Sequence, residues 1–306
     1  MMVPSLVSVI IPNYNHARYL DERIQSVLNQ TFQEFEVIIL DDKSTDQSLE
    51  VIEKYRCHPK VTNIIANEEN SGSSFVQWRK GMDVARGELI WIAESDDSCE
   101  PTFLEKLVAP FLQDSEVVLS YCRSQSIDET GNRGRVLHGT YGKSIYTSEE
   151  FFHKYLNWMN VVMNASSAVF RRDVALNIEK GYMDFKGVGD WLFWIEIAER
   201  GKIAVENEPL NFFRSHSSNT TERTRRQGIN GIEFKRIFEY LQDHGHLSWI
   251  DAIRLKKKRI YAAKYVNDYY DSEEIRQKVI DAWHPNWLIR SLAYISYLRH
   301  RGNGKN

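Results

Sequence analysis

Glu94-Ser95-Asp96-Asp97 sets three carboxylates within four residues, directly after an apolar run. Hard oxygen ligands at one or two positions, with phosphates completing the shell, suit Mg2+ or Mn2+. The plainer alternative is that Asp96 and Asp97 cap a helix starting near Pro101, and spacing alone leaves both open. Asp41-Asp42 follows a second apolar run. A carboxylate at such a strand end can accept from a base imide or a ribose hydroxyl, while Asp46 reads as a helix cap. No Gly-x-Gly-x-x-Gly follows the first run, where the chain reads Pro12-Asn13-Tyr14-Asn15-His16, and the Walker pattern is absent. This argues against a dinucleotide-binding site and leaves phosphate to be held through a metal.

The elements that must carry these groups alternate. Leu6–Ile11, Glu36–Leu40, Val61–Ala66, Glu88–Ala93 and Val117–Cys122 are short apolar runs that read as buried strands. Between them, Ala17–Gln30, Asp46–Tyr55, Ser73–Arg86 and Pro101–Leu112 read as helices. Strands apolar throughout and separated by amphipathic helices predict an α/β fold, with a doubly wound, mainly parallel sheet covered on both faces. Ligands then sit at the carboxyl ends of the strands, where all three polar loops fall. Further on, 123–138 reads as a hairpin, Ser148–Leu156 as a helix and Ala165–Phe170 as a strand. Asp190–Glu199 reads as a helix, and Ile203–Val205 and Leu210–Phe213 as closing strands. From about Ile229 the chain is basic, aromatic and mostly helical. The expected division is 1–221 as the α/β domain and 222–306 as a helical, basic extension.

The net charge of −3 over 306 residues conceals an asymmetry: residues 222–306 hold 17 Lys and Arg against 10 Asp and Glu. Such a balance excludes a nucleic-acid binder held by bulk charge. Three scattered cysteines, Cys57, Cys99 and Cys122, predict neither a disulfide framework nor a zinc knuckle and fit a reducing compartment. The N-terminus lacks a basic n-region, and no window has the roughly 18–20 apolar residues a spanning helix needs. The expected location is cytoplasmic, at most peripheral on the inner face of a membrane. For that contact, Trp283, Trp287, Leu288, Leu292, Ile295 and Leu298 can form one face beside Arg290, Arg299 and Arg301. Packing on the α/β domain or on a homodimer partner explains the same pattern at least as well.

Taken together, VSVIIPNYN, YLDERIQSVLNQTFQEFEVIILDDKSTDQS and GELIWIAESDD closely resemble the family 2 glycosyltransferases of GT-A fold. The resemblance covers residues 7–112 and continues more weakly to about 220. It implies inverting transfer of sugar from a nucleoside diphosphate sugar, with Pro12 and Tyr14 shaping the base and ribose pocket. Asp41 matches the base-contacting aspartate. Asp96 and Asp97 match the DXD-type pair on the ribose and the diphosphate-bound metal, Mn2+ or Mg2+. Glu94 stands where the family's common first Asp is found. Asp190, in Gly187-Val188-Gly189-Asp190-Trp191, matches the carboxylate that deprotonates the acceptor, with Gly189 in place of the usual Glu. The plainer role for Asp190 is an N-cap. The resemblance also suggests a loop over the diphosphate, giving Arg214 to the phosphates and His216 to the metal.

This reading makes the chain a metal-dependent transferase using a nucleoside diphosphate sugar, with a UDP-sugar favoured. Its acceptor is a saccharide or lipid-linked saccharide in surface polysaccharide or glycolipid assembly, without nucleic acid. A non-catalytic nucleotide-sugar-binding or scaffold subunit on the same fold is the alternative; Asp190 argues against it, since a binder needs no base. A nucleotidyltransferase would need a Gly-rich basic loop after the first strand, and none is present.

Overall fold

Runs of β-branched residues build the sheet on which everything else is hung. The computed structural model describes residues 6–137, 141–215, 220–266 and 269–303. Contacts within the chain divide it into two units. The first comprises Met1–Phe151, Asn160–Met183 and Phe193–His216; the second comprises Phe152–Met159, Asp184–Leu192 and Ser217–Asn306.

The first unit opens with β1 (Val7–Asn13), α1 (Ala17–Leu28), β2 (Phe35–Asp41), α2 (Ser48–Glu53), β3 (Val61–Ala66), α3 (Ser74–Val84) and β4 (Leu89–Ile92). It continues with β5 (Ser98–Cys99), α4 (Phe103–Gln113), β6 (Val117–Ile127), β7 (Arg133–Val136), β8 (Ile145–Tyr146) and α5 (Ser148–Phe151). After these come β9 (Ala168–Arg171) and α6 (Arg172–Leu176). Helix α7 (Gly189–Ala198) starts in the second unit and ends in the first, which β10 (Lys202–Arg214) completes.

The sheet is mixed, in the order β3-β2-β1-β4-β9-β6-β10-β5, with β7 on β6 and β8 on β10. Strands β3, β2, β1 and β4 run parallel, as the alternation of strand and helix requires. Every residue of β1, β2 and β4 is buried, because helices cover both faces. Helix α1 packs Leu20, Ile24 and Val27 onto Val9, Ile11 and Trp91 of the sheet. Beyond β4 the pattern changes: β9 lies antiparallel to both β4 and β6, and β10 is parallel to β6. The chain leaves β1 toward β2 on one side and returns to β4 on the other. The crevice at the β1 and β4 carboxyl ends is therefore a topological switch point, where α/β sheets bind ligands.

Some boundaries differ from expectation. The two closing strands are one, β10, with irregular register between Glu206 and Asn211 that accommodates Pro209. The expected helix at 148–156 is α5 followed by a wider turn at Phe152–Leu156. Ala165–Ser167 is a tight helical turn, so the strand there begins only at Ala168.

The second unit carries α8 (Thr220–Arg226), α9 (Ile229–Asp243), α10 (Trp249–Tyr265), α11 (Glu273–Ala282) and α12 (Trp287–Asn303). Ser248 and Ser272 cap α10 and α11 by accepting from the Asp251 and Ile275 amides. Phe238, Leu255, Ile260, Val279, Trp283 and Ile289 form its core. Gly228, at φ 76°, turns the chain from α8 into α9 against Ile275. No described helix is long and apolar enough to cross a membrane.

Candidate active site

The loops after β1 and β2 are tied together before any ligand arrives. Asn13 and Asp41 face each other across the parallel pair. The Asn13 amide nitrogen donates to Asp41 Oδ1 at 2.8 Å. The Ser44 amide donates to Asp41 Oδ2 at 2.9 Å, and Ser44 Oγ donates to Oδ1 at 2.6 Å. Asp41 is thus buried with both oxygens engaged, and its immediate effect is to fold the turn 41–44. Asp42 acts likewise, accepting from Asn67, Ser71 and Gln77. Asp46 accepts from the Ala17 and Ser48 amides, at the starts of α1 and α2. Burial pushes the Asp46 carboxyl up, but these bonds outweigh it and hold the group below its usual range. Pro12 is buried at the end of β1, and Tyr14 lies 46% exposed on the rim beside it.

The acidic loop 94–97 follows β4. Glu94 is half-buried; the Trp78 indole donates to its Oε1 at 2.8 Å, and its own amide donates to Ser166 Oγ at 3.0 Å. Asp96 is half-buried, whereas Asp97 lies beneath it, 1% exposed. Asp97 Oδ1 accepts the Arg214 amide at 2.9 Å and Oδ2 accepts Asn164 Nδ2 at 2.5 Å. His16 Nδ1 lies 2.8 Å from Ser95 Oγ and joins this loop to the one after β1.

Crowding three carboxylates at a buried strand end makes ionisation of Glu94 and Asp97 costly. Burial pushes Glu94 up to about 8, with the Asp96 charge adding to it and the Trp78 bond opposing it. Burial pushes Asp97 up to about 7, again reinforced by Asp96, while Arg23 opposes it. Arg23 of α1 is wholly buried; its Nε donates to the Glu94 carbonyl at 3.0 Å and its guanidinium lies 5.1 Å from the Trp91 ring centre. Such a cluster favours a cation. Among the described residues no three His, Cys, Asp or Glu side chains converge to hold a metal alone. Glu94 and Asp96 offer carboxylate oxygens of the kind a hard divalent cation accepts at one or two positions.

Two of the expected ligands already have partners within the protein. Arg214, expected at the phosphates, is 1% exposed and belongs to the protein's own framework. Its Nε donates to the Asp96 carbonyl at 2.7 Å, Nη1 to the Asp128 carbonyl at 3.0 Å and Nη2 to Glu22 at 2.7 Å. The Tyr19 ring centre lies 4.7 Å from it. Asp97, expected on the metal, has both oxygens occupied by Arg214 and Asn164, so Asp96 and Glu94 are the more accessible carboxylates. His216 lies outside the described residues.

Asp190 is in the second unit, at the second position of α7. It is half-buried, and its Oδ1 accepts the Trp191 amide at 2.8 Å. Trp191 and Trp194 are both buried and belong to the core. The sequence reading missed Arg23, Trp78, Asn164 and Ser166. Arg23 left a signal, a charge on the apolar stripe Leu20-Ile24-Val27; the others left none.

Comparison with known proteins agrees with this architecture. The family model described as Glycosyl transferase family 2 matches residues 8–177. Escherichia coli chondroitin synthase is 34% identical over 146 residues, which is 47% of this chain but only 20% of that much longer protein. Among solved structures, Staphylococcus aureus TarS 1–349 in complex with UDP-GlcNAc superposes with TM-score 0.58 at 18% identity, covering 91% of this chain and 71% of that one. The Pyrobaculum calidifontis mannosyltransferase PcManGT, in complex with GDP-Man and Mn2+, gives 0.58 at 15% identity, covering 97% and 89%. At these identities the two structures establish the likeness of fold, which is GT-A.

Proposed function

The chain belongs to glycosyl transferase family 2, and from that premise we propose that it moves a sugar from a nucleoside diphosphate sugar to an acceptor hydroxyl with inversion. The observation that carries this reading is the acidic loop 94–97 at the β1/β4 switch point, where burial and the neighbouring carboxylates hold Glu94 and Asp97 above their usual range. A site of that kind gains by receiving a divalent cation together with a diphosphate. Mn2+ or Mg2+ bound there would be held by Asp96 and Glu94 and would stabilise the charge on the departing diphosphate.

The chain's own residues do the rest. Pro12 and Tyr14 border the base and ribose, and the turn folded by Asp41 presents the base-reading edge. Asp97 and Arg214 hold the loop 94–97 in place from beneath. Asp190 takes the acceptor proton as the acceptor oxygen attacks the anomeric carbon and the bond to the diphosphate oxygen breaks. A UDP-sugar is the favoured donor, supported by the UDP-GlcNAc complex of TarS; the GDP-Man complex of PcManGT makes guanine the competitor to test. The relation to chondroitin synthase supports a polysaccharide or lipid-linked saccharide as acceptor.

Helix α12 supports an acceptor at a lipid surface. Trp287, 77% exposed, lies on one helical stripe with exposed Tyr294, Ile295 and Leu298, and exposed Arg290 and Arg299 flank it. Aromatic and aliphatic groups edged by arginine suit an anionic headgroup layer. Release of nucleoside diphosphate from a panel of UDP- and GDP-sugars, with and without Mn2+, tests the transferase reading. Metal-dependent release by the wild type that is lost in Asp190→Asn supports it; no release from any donor, or full activity of Asp190→Asn, contradicts it.

A further inference from the structure

We propose that Glu233 of α9 is a positioning residue for Asp190, which makes the helical C-terminal segment part of the catalytic apparatus; this rests on the reading of Asp190 as the base. Glu233 is 6% exposed, and among the described residues no Lys or Arg pairs with it. Its carboxylate instead accepts from three successive amides: Lys186 at 2.7 Å on Oε1, and Gly187 and Val188 at 2.9 and 3.0 Å on Oε2. These amides lead directly into α7. The Val188 carbonyl accepts the Trp191 amide at 3.1 Å, the first bond of the helix turn that carries Asp190. Glu233 thus holds the N–H of Val188 while the helix holds its carbonyl, which fixes the backbone on both sides of the residue two before Asp190.

The same helix fixes the residue on the other side. The Trp191 indole is buried, donates to the Leu156 carbonyl at 3.2 Å and meets Phe234 edge-on with centroids 5.7 Å apart. Gly187 is required by this approach. A Cβ there would sit 2.1 Å from Asn230 Oδ1 and 2.9 Å from Thr224 Oγ1, both on buried residues of α8 and α9. Burying a carboxylate is costly, and an ordinary helix start is satisfied by a serine or aspartate beside it. Here the charge comes from 45 residues away and engages the turn preceding one half-exposed aspartate.

Glu233→Gln can keep its one carbonyl oxygen on the Gly187 and Val188 N–H groups, but its NH2 then opposes the Lys186 N–H, so the clasp opens at Lys186 and loses its charge. In the whole 306-residue chain, with UDP-GlcNAc and Mn2+ and water or a p-nitrophenyl glycoside as acceptor, kcat for UDP release is expected to fall about 10- to 100-fold. The Kd for UDP-GlcNAc should stay within about twofold, and the acid limb of the pH profile should move to lower pH, as lost negative charge requires. Amide exchange at 186–188 should accelerate while that of β1 and β4 does not, a readout independent of turnover. The double variant Asp190→Asn/Glu233→Gln should be no slower than Asp190→Asn alone. A lowered Tm with kcat and the acid limb unchanged, unchanged exchange at 186–188, or losses that multiply in the double variant would each overturn the proposal while leaving an inactive Asp190→Asn, and the base reading, intact. Full activity of Asp190→Asn would instead remove the base reading, and this role with it. If Glu233→Gln does not fold, Glu233→Asp, which keeps the charge with a shorter reach, should show the same pattern at smaller amplitude; wild-type kcat in that variant overturns the proposal.

Discussion

Raising the pH should destabilise this protein in a way a divalent cation reverses. Glu94 is pushed up to about 8 from 4.5, and Asp97 to about 7 from 3.8. Both folded values exceed the unfolded ones, so between these limits the folded chain binds more protons than the unfolded chain, and stability falls as pH rises. The two groups repel each other through the same loop, so the cluster is best counted as one retained proton. Over about three pH units that proton is worth roughly 4 kcal/mol as an upper bound, and about half of it once the partial exposure of Glu94 is allowed for. Roughly 2 kcal/mol corresponds to a Tm loss of about 4–8 °C between pH 5.5 and 8.5. Glu94→Gln keeps an oxygen for the Trp78 indole but removes the charge, so most of the slope should vanish. A divalent cation replaces the proton, so its affinity should climb about tenfold per pH unit up to near pH 8. The assay is thermal unfolding of both proteins across this range, with and without Mn2+. Parallel slopes for wild type and Glu94→Gln, or a Mn2+ shift equal at pH 6 and pH 8, would refute the reasoning.

Other outcomes follow from the same geometry. Asp46→Ala removes acceptors from the starts of α1 and α2 and should cost about 1–2 kcal/mol in urea unfolding. Arg214→Lys offers one nitrogen where three now bond to Asp96, Asp128 and Glu22. It should cost about 2–4 kcal/mol and weaken UDP binding in a titration, because the loop 94–97 loosens. Trp287→Ser with Leu298→Ser should reduce co-sedimentation with phosphatidylglycerol vesicles by severalfold or more, while UDP release in solution stays at the wild-type rate. Sedimentation unchanged by the double substitution would remove α12 as a lipid contact.

The parallel half of the sheet was readable because its cause is local. Runs such as Val9–Ile11 and Val37–Leu40 are apolar at every position, which only a strand covered on both faces tolerates. Strand β10 was read as two because Glu206-Asn207-Glu208-Pro209 interrupts its hydrophobic pattern, and register irregularity lets the chain continue past it. In the site, residue types were legible but their directions were not. Asp96 and Asp97 are adjacent and chemically identical, and only the placement of Arg214 and Asn164 turns one inward. Trp78, Asn164 and Ser166 reach Glu94 and Asp97 from α3 and from the turn before β9, distances in sequence that no spacing rule connects. The grouping of 184–192 with the C-terminal helices is of the same kind, since it depends on Glu233 finding the amides of 186–188.

The most direct test is a calorimetric titration of UDP into wild type and Asp96→Ala, with Mn2+ and with EDTA. The expected result is binding by the wild type only with the cation, weakened at least tenfold in Asp96→Ala. Equal affinity in EDTA, or in Asp96→Ala, would contradict a metal-assisted nucleotide-sugar site on the loop 94–97.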